Sequence, residues 1–466
     1  MRPGLWRAGA CRALGTLRRA SAARPAAGSW QRVRAYVGEA PGASPTAAAP
    51  PPPTSAELLR DSRLAAISGL AYVPPEELEH RLERHGLELQ AHGTTHFTRW
   101  FVARHSAAAP AAAQAPTGSL IADPAQRLVF LRGVSWRSAD LNALRVWQGL
   151  VRALPSAFLP HLTSPPELLM AHSGVAEMAE ELFGVLRPHM EGVPRLHLAG
   201  HSLGGSLATL VALTAHLKLG ASSLGASSGG SDSSSTSSSS DGAHPSGLAG
   251  SSSPGSAGFG SGAVPSRQQQ QQRQQAQHAQ QQRQRLQVEV TTFGSPPVLA
   301  LAHGAEEDGR SILQALRLPL GAVKNYVLQD DPVPRALLSA DPAFMAMKSS
   351  PAVAGLLRLR EQWLGQGVLS PTRFLFHPAG DVFLIRWSAE RGHSVRLLAP
   401  HTLQEELKLD VETLRNSPMA LMQALMDHHH GSYATELRAA AAALARQEAA
   451  AAAAAGASTA AGTSSP

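Results

Sequence analysis

The chain has 466 residues, with 41 Lys plus Arg against 34 Asp plus Glu, one cysteine and a net charge of +7. Residues 1–53 hold eight arginines and one acid, Glu39, leaving 33 bases against 33 acids in the other 413 residues. A nucleic-acid surface needs a local basic excess, and none survives outside that segment.

The cysteine, Cys11, lies in the same segment. The rest of the chain therefore excludes disulfides, a cysteine nucleophile and cysteine-ligated zinc. Residues 1–53 are rich in Arg and Ala, nearly free of acids, and end in four prolines. That composition predicts an organellar transit peptide and not a secretory signal, because no compact apolar stretch follows the charges. A disordered Ala-rich tail is the alternative. No run of about eighteen apolar residues occurs, so no spanning helix is expected.

Past residue 53, Leu58, Leu59, Leu64, Ala65, Ile67 and Leu70 predict a helix with an apolar stripe. Pro74-Pro75-Glu76-Glu77 predicts a second helix start. Residues 95–105 predict a strand, followed by an Ala/Pro loop. Then come a strand at 128–133, helices at 139–154 and 172–187, a strand at 195–200 and a helix at 203–219. Residues 221–285 are Ser/Gly-rich, then Gln/Arg-rich, and bury too little apolar surface to offset their ordering entropy; they predict a long disordered insertion. Strands resume at 288–296 and 323–329, with an antiparallel pair expected between 373–378 and 382–387. Residues 438–466 predict an Ala-rich helix fraying into a tail. The fold class expected is α/β with a mostly parallel sheet, a single domain built from 54–220 and 286–437.

Gly200-His201-Ser202-Leu203-Gly204 matches G-x-S-x-G. In a chain rich in Gly and Ser the match alone is weak, and a Gly-rich turn with an incidental serine would produce it. Context strengthens it: a strand ends at Ala199, and an Ala/Leu-rich helix opens at Leu203. That is the strand–turn–helix of a nucleophile elbow, with Gly200, Gly204 and Gly205 permitting close backbone approach. The turn would lift the Ser202 hydroxyl off the sheet and aim the Leu203 amide at a developing oxyanion. A serine needs a base, and the base needs an orienting acid; on this architecture they follow in the order Ser, Asp or Glu, His. Asp331 lies in a turn after the strand 323–329, where such sheets assemble their sites. The base candidates are His428, His429 and His430, in Asp427-His428-His429-His430-Gly431-Ser432-Tyr433. A metal-binding His tract is the other reading, but no partner cluster supports it. His172, His393 and His401 are read as structural residues before helices or in loops.

The combination of GHSLGG (200–205), TFGSP (292–296), DPVP (331–334) and DHHHGSY (427–433) resembles the class 3, fungal-type lipase family. Arg132-Gly133 and HSGV (172–175) fit the same pattern. SGLAYVPPEEL (68–78) and TRWFVA (98–103) are closer still to the plastid lipases of plants and green algae. The resemblance spans most of 57–437 and implies an α/β-hydrolase fold. It makes Ser202 the nucleophile, Asp331 the acid and His428 the base, with His429 as alternative because the triplet blurs the register. It places the oxyanion donors at the Leu203 and Val134 amides. Val134 stands where the family carries Ser or Thr, so a hydroxyl is missing or displaced to Ser135.

The resemblance further implies a glycerolipid substrate met at a membrane or lipid-droplet interface by peripheral contact, with no metal, cofactor or nucleic acid. A membrane galactolipid or phospholipid cut at sn-1 is the first expectation. A triacylglycerol lipase or an acyltransferase with the same triad is an alternative, and a non-catalytic lipid-binding protein another. Leu144, Trp147, Leu150, Val151 and Leu154 form an apolar helical face within 142–160, which is either a lid or a core helix. The presequence, with the plastid likeness, points to the chloroplast; a mitochondrion is the alternative.

Overall fold

The computed structural model describes residues 52–106, 125–134, 155–160, 162–163, 169–225, 286–301, 312–314, 316–338, 376–390, 392–408 and 411–462. Residues 1–51 of the predicted presequence, the helix 139–154, residues 142–154 of the lid candidate and all but the first five residues of the insertion lie outside them.

The first helix, α1 (Ser55–Ser68), starts at a capping box. The Thr54 hydroxyl accepts from the Glu57 amide at 3.2 Å, and the Glu57 carboxylate accepts from the Thr54 amide at 2.9 Å. A 3₁₀ turn, Gly69–Tyr72, leads to α2 (Pro75–Glu83), with proline at its first position and Glu76 and Glu77 in its first turn. Strands β1 (Leu87–Thr94), β2 (Arg99–His105) and β3 (Gln126–Leu131) follow. Next are β4 (Pro155–Ala157), β5 (Leu169–His172), α3 (Ser173–Met190), β6 (Arg195–His201) and α4 (Leu203–Gly225). The second half contains β7 (Gln287–Phe293), β8 (Leu299–Leu301), β9 (Val323–Leu328), α5 (Pro332–Leu338), β10 (Asp381–Ser388) and β11 (Gly392–Leu397). Four helices close the chain: α6 (Leu403–Glu406), α7 (Val411–Asn416), α8 (Pro418–Asp427) and α9 (His430–Gly462).

Eight strands form one sheet in the order β1-β2-β3-β6-β7-β9-β10-β11. From β3 to β10 the pairings are parallel, and antiparallel pairs extend both edges. This is the doubly covered, mostly parallel α/β sheet expected from the strand–helix alternation. A second sheet, β4-β5-β8, is small and antiparallel.

Alternation along β3 feeds two cores. Val129 and Leu131 join α3 and α4 on one face, and Leu128 and Phe130 join α1 and α9 on the other. Helix α4 is buried nearly all round: Leu203, Leu207, Leu210, Val211 and Leu213 are all at most 3% exposed. Leu203–Gly220 is long and apolar enough to cross a membrane by length and composition, yet most of it is covered by the protein itself. Helix α1 is pinned to the sheet by fully buried Asp61, which accepts from the Tyr326 hydroxyl at 2.6 Å.

Several elements differ from expectation. β1 was not predicted; LELQAHGT alternates poorly, and its residues are mostly half-exposed because it is an edge strand. The antiparallel partner of 382–387 is β11, with β9 on the other side; of 373–378 the described residues are 376–378, where His377 bridges to Leu299 of the small sheet. His393 lies in β11 and bonds Glu436 of α9 at 2.7 Å, so it belongs to a strand and not to a loop or helix start. The C-terminal helix begins at His430, and Leu437, Ala440 and Ala441 are buried against α1, so the packed face runs past residue 437. Alanine suits this interface because it lets two helices approach closely.

Candidate active site

All the chemistry-bearing residues meet at the C-terminal ends of the parallel strands, where loops leave the sheet. Ser202 sits between β6 and α4 with φ +58°, a left-handed conformation that L-residues adopt only under constraint. Its amide donates to the Phe293 carbonyl at 2.9 Å, and its carbonyl accepts from the Gly205 amide at 2.9 Å. A side chain at Gly200 would collide with the Gly204 backbone, and one at Gly204 with the Leu131 carbonyl. The G-x-S-x-G glycines are thus required where β6, α4 and β3 touch.

Asp331 follows β9 and is fully buried. His428 follows α8, with its side chain 11% exposed. The His428 Nδ1 lies 3.0 Å from each Asp331 carboxylate oxygen, and its Nε2 lies 3.1 Å from Ser202 Oγ. A carboxylate only accepts, so Nδ1 carries the proton; Nε2 is then bare and accepts a hydrogen bond from the Ser202 hydroxyl. The three residues form one directed chain, from hydroxyl to imidazole to carboxylate. Asp331 is held by two further donors, the Val333 amide at 2.8 Å and the Tyr433 hydroxyl at 2.5 Å. Tyr433 also accepts from the Leu328 amide at 3.1 Å, and burial beside Asp331 pushes its hydroxyl well above the ordinary tyrosine range. Gly294, at φ +59°, leaves room for this cluster; a Cβ there would lie 2.5 Å from Asp331 Oδ2.

The triplet divides sharply. His429, the alternative base, is exposed, and its Nδ1 accepts from the Gly431 amide at 3.2 Å. Its ring packs against that of His430, with centroids 4.2 Å apart, and it is His428 that meets Ser202. His430 stacks on Tyr72 with ring centroids 4.8 Å apart, and burial lowers its pKa to about 4. Asp427, just before His428, accepts from the Asp330 amide at 3.3 Å and from Gln423 at 2.8 Å, tying the histidine turn to the turn that carries Asp331. Among the described residues no group of three or more His, Cys, Asp or Glu is arranged to hold a metal ion.

Leu203 heads α4, where a first-turn amide has no intrahelical acceptor. Val134 follows Gly133 in the loop leaving β3, and this loop lies against the elbow: a Cβ at Gly133 would be 2.7 Å from Ser202 Cβ. His201 and Gly205 are buried beneath the turn, with Gly205 against Ser295. His172 is buried and ends β5; His401 is exposed in a 3₁₀ turn. Two residues not assigned roles from sequence, Tyr433 and Tyr72, touch this centre. Tyr433 stands five residues past His428 on α9, a spacing that could have suggested it; Tyr72 lies 130 residues before Ser202 with no local signal.

No family model matches the chain, and no curated protein matches it. Among solved structures, the chain is similar to a Rhizomucor miehei lipase propeptide complex, with 16% identity over 80% of this chain and 79% of that one and a TM-score of 0.36. Lipase II from Rhizopus niveus is 13% identical over 74% and 86%, with a TM-score of 0.35. Nonglycosylated Yarrowia lipolytica LIP2 lipase is 12% identical over 70% and 79%, with a TM-score of 0.36. Likeness at this level transfers no residue role.

Proposed function

We propose that the protein is a serine ester hydrolase, a lipase, in which Ser202 is the nucleophile, His428 the general base and Asp331 the orienting acid. The observation that carries this is the directed hydrogen-bond chain at a strained serine turn, with Nδ1 of His428 saturated by a buried carboxylate and Nε2 facing Ser202 Oγ. Ser202 Oγ attacks the ester carbonyl while His428 takes its proton. The Leu203 and Val134 amides are the oxyanion donors. His428 then protonates the departing alcohol, and water, activated by the same imidazole, hydrolyses the acyl-enzyme. One domain carries this chemistry, built from 54–220 and 286–437 with the buried α9 residues Ala440 and Ala441 just beyond, and 221–285 is an insertion that starts within the last turns of α4.

The substrate we infer is a glycerolipid, a membrane galactolipid or phospholipid cut at sn-1. An apolar surface beside the base supports a lipid: Met419, Leu421, Met422, Leu425 and Met426 of α8 are all exposed, and α8 runs directly into His428. The sn-1 and head-group assignment is supported only by the motif resemblance; 1–53 as an organellar transit peptide is supported by its Arg/Ala-rich, acid-poor composition, and the motif resemblance favours a chloroplast over a mitochondrion. The deciding test compares the chain lacking 1–53 with its Ser202→Ala variant on a mixed thylakoid-lipid extract. Lyso-lipids identified by mass spectrometry report head group and position together. Ester cleavage that persists in Ser202→Ala sinks the assignment, and transfer of the acyl group to an alcohol instead of water makes the protein an acyltransferase.

A further inference from the structure

A second hydrogen-bonded path runs through the site beside the triad. His201 Nε2 lies 2.7 Å from the carbonyl oxygen of His428, and its Nδ1 lies 3.0 Å from the Tyr72 hydroxyl. The Tyr72 hydroxyl is also 3.1 Å from the Gly133 amide. The protons on this path follow from chemistry. A carbonyl only accepts, so Nε2 of His201 carries the proton, and a neutral imidazole then presents a bare Nδ1. Burial, reinforced by the neighbouring His428 ring, keeps His201 neutral by pushing its pKa well down. Tyr72 must therefore donate to Nδ1; burial raises its pKa to about 12, so the proton stays on it. The Gly133 amide donates to the Tyr72 oxygen. Every proton has one place, and the path reads Gly133 N–H to Tyr72 O–H to His201, then N–H to the His428 carbonyl.

Each end of this path is backbone belonging to a different part of the proposed machinery. Gly133 precedes Val134, an oxyanion donor; His201 precedes the nucleophile; the His428 carbonyl belongs to the base. We propose that Tyr72 and His201 are positioning residues, a side-chain bridge that keeps the oxyanion loop after β3 in register with the base. The Tyr72 ring is itself held, with His430 stacked at 4.8 Å and 7° and the Arg132 guanidinium 5.9 Å from the ring centroid. The third histidine of the triplet thereby acquires a task, clamping the tyrosine that spans the site. No proton moves along the bridge during the reaction; it fixes atoms whose placement matters most when the oxyanion forms.

The bridge rests on the triad reading, and the test separates the two. Tyr72→Phe keeps the ring and its stacking and removes only the hydroxyl. On a soluble p-nitrophenyl ester, kcat should fall about tenfold with KM within about twofold, the pattern of a contact that matters in the transition state. Inhibition by an alkyl boronic acid, which forms a tetrahedral adduct on the serine, should weaken by a similar factor. In His201→Gln the acceptor for Tyr72 is changed, so adding Tyr72→Phe to that background should cost at most about threefold. A Tyr72→Phe enzyme with kcat within twofold of the parent overturns the bridge. So does a kcat loss fully explained by a smaller titratable fraction of active serine, which would mean unfolding. If Ser202→Ala keeps the parent's activity, the triad reading fails, whatever Tyr72→Phe does.

Discussion

The serine turn and the histidine turn carry complementary halves of the site and are built in opposite ways. The elbow is largely local: strand, left-handed serine and helix lie within a few residues, and Gly200 is required by the Gly204 backbone of the same motif, although Gly204 in turn makes room for Leu131 of β3. The histidine turn has no such local logic. Three consecutive histidines have the same chemistry, and only their surroundings separate them. His428 meets Asp331 and Ser202, each about a hundred residues or more away in sequence; His429 meets solvent; His430 meets Tyr72. A nucleophile can be specified by backbone geometry, whereas a base is specified by what its two nitrogens face.

The sharpest way to break this comparison is to remove the histidines one at a time. His428→Ala should lower kcat by on the order of 10⁴-fold, while His429→Ala should leave it within about twofold. Equal losses in ester hydrolysis by the two variants would mean that the turn exchanges its histidines. On the elbow side, Gly204→Ala drives a methyl into the Leu131 carbonyl. It should cost about 2–3 kcal/mol of stability or displace the turn, read as a lower urea midpoint with reduced kcat. An unchanged midpoint and rate would show that the close approach is not needed.

Smaller effects sharpen the picture. Tyr433→Phe removes one of the donors holding Asp331 and should lower kcat by roughly tenfold, one charge-assisted hydrogen bond's worth. A rate within twofold would place the acid's orientation wholly in the Val333 amide and His428. Acid should weaken the fold through buried imidazoles. Burial lowers His197 and His430 to about 4 each, from an ordinary value of 6.5. The unfolded chain then binds more protons than the native one between those values, so stability is full above about pH 6.5 and is lost as pH falls towards 4. Thermal midpoints from pH 7.5 to 4.5 should decline in that window, with the slope reduced in His197→Gln. A flat profile would mean these histidines are protonated in the folded protein.

Much of this organisation is legible before any coordinates. The alternation of strands and helices, the G-x-S-x-G turn with its flanking elements, and Asp331 at the end of a strand follow from periodicity and turn chemistry acting over a few residues. β1 and β11 escape such reading because edge strands need only half an apolar pattern; they are recruited by the open hydrogen-bonding edges of β2 and β10. The buried face of Leu437, Ala440 and Ala441 escapes it because alanine declares no face until another helix lies against it.

By itself the sequence determined the net neutrality past residue 53, the α/β alternation and the serine turn, each set by composition or by contacts within about one turn of chain. Only the tertiary structure decided which histidine faces the serine, that Tyr433 donates to Asp331, and that Tyr72 and His201 link the Gly133 amide to the His428 carbonyl. The physical reason is the reach of the forces involved. Backbone dihedrals and apolar spacing act between neighbours, whereas hydrogen-bond partners are chosen by the way distant strands and helices close on one another.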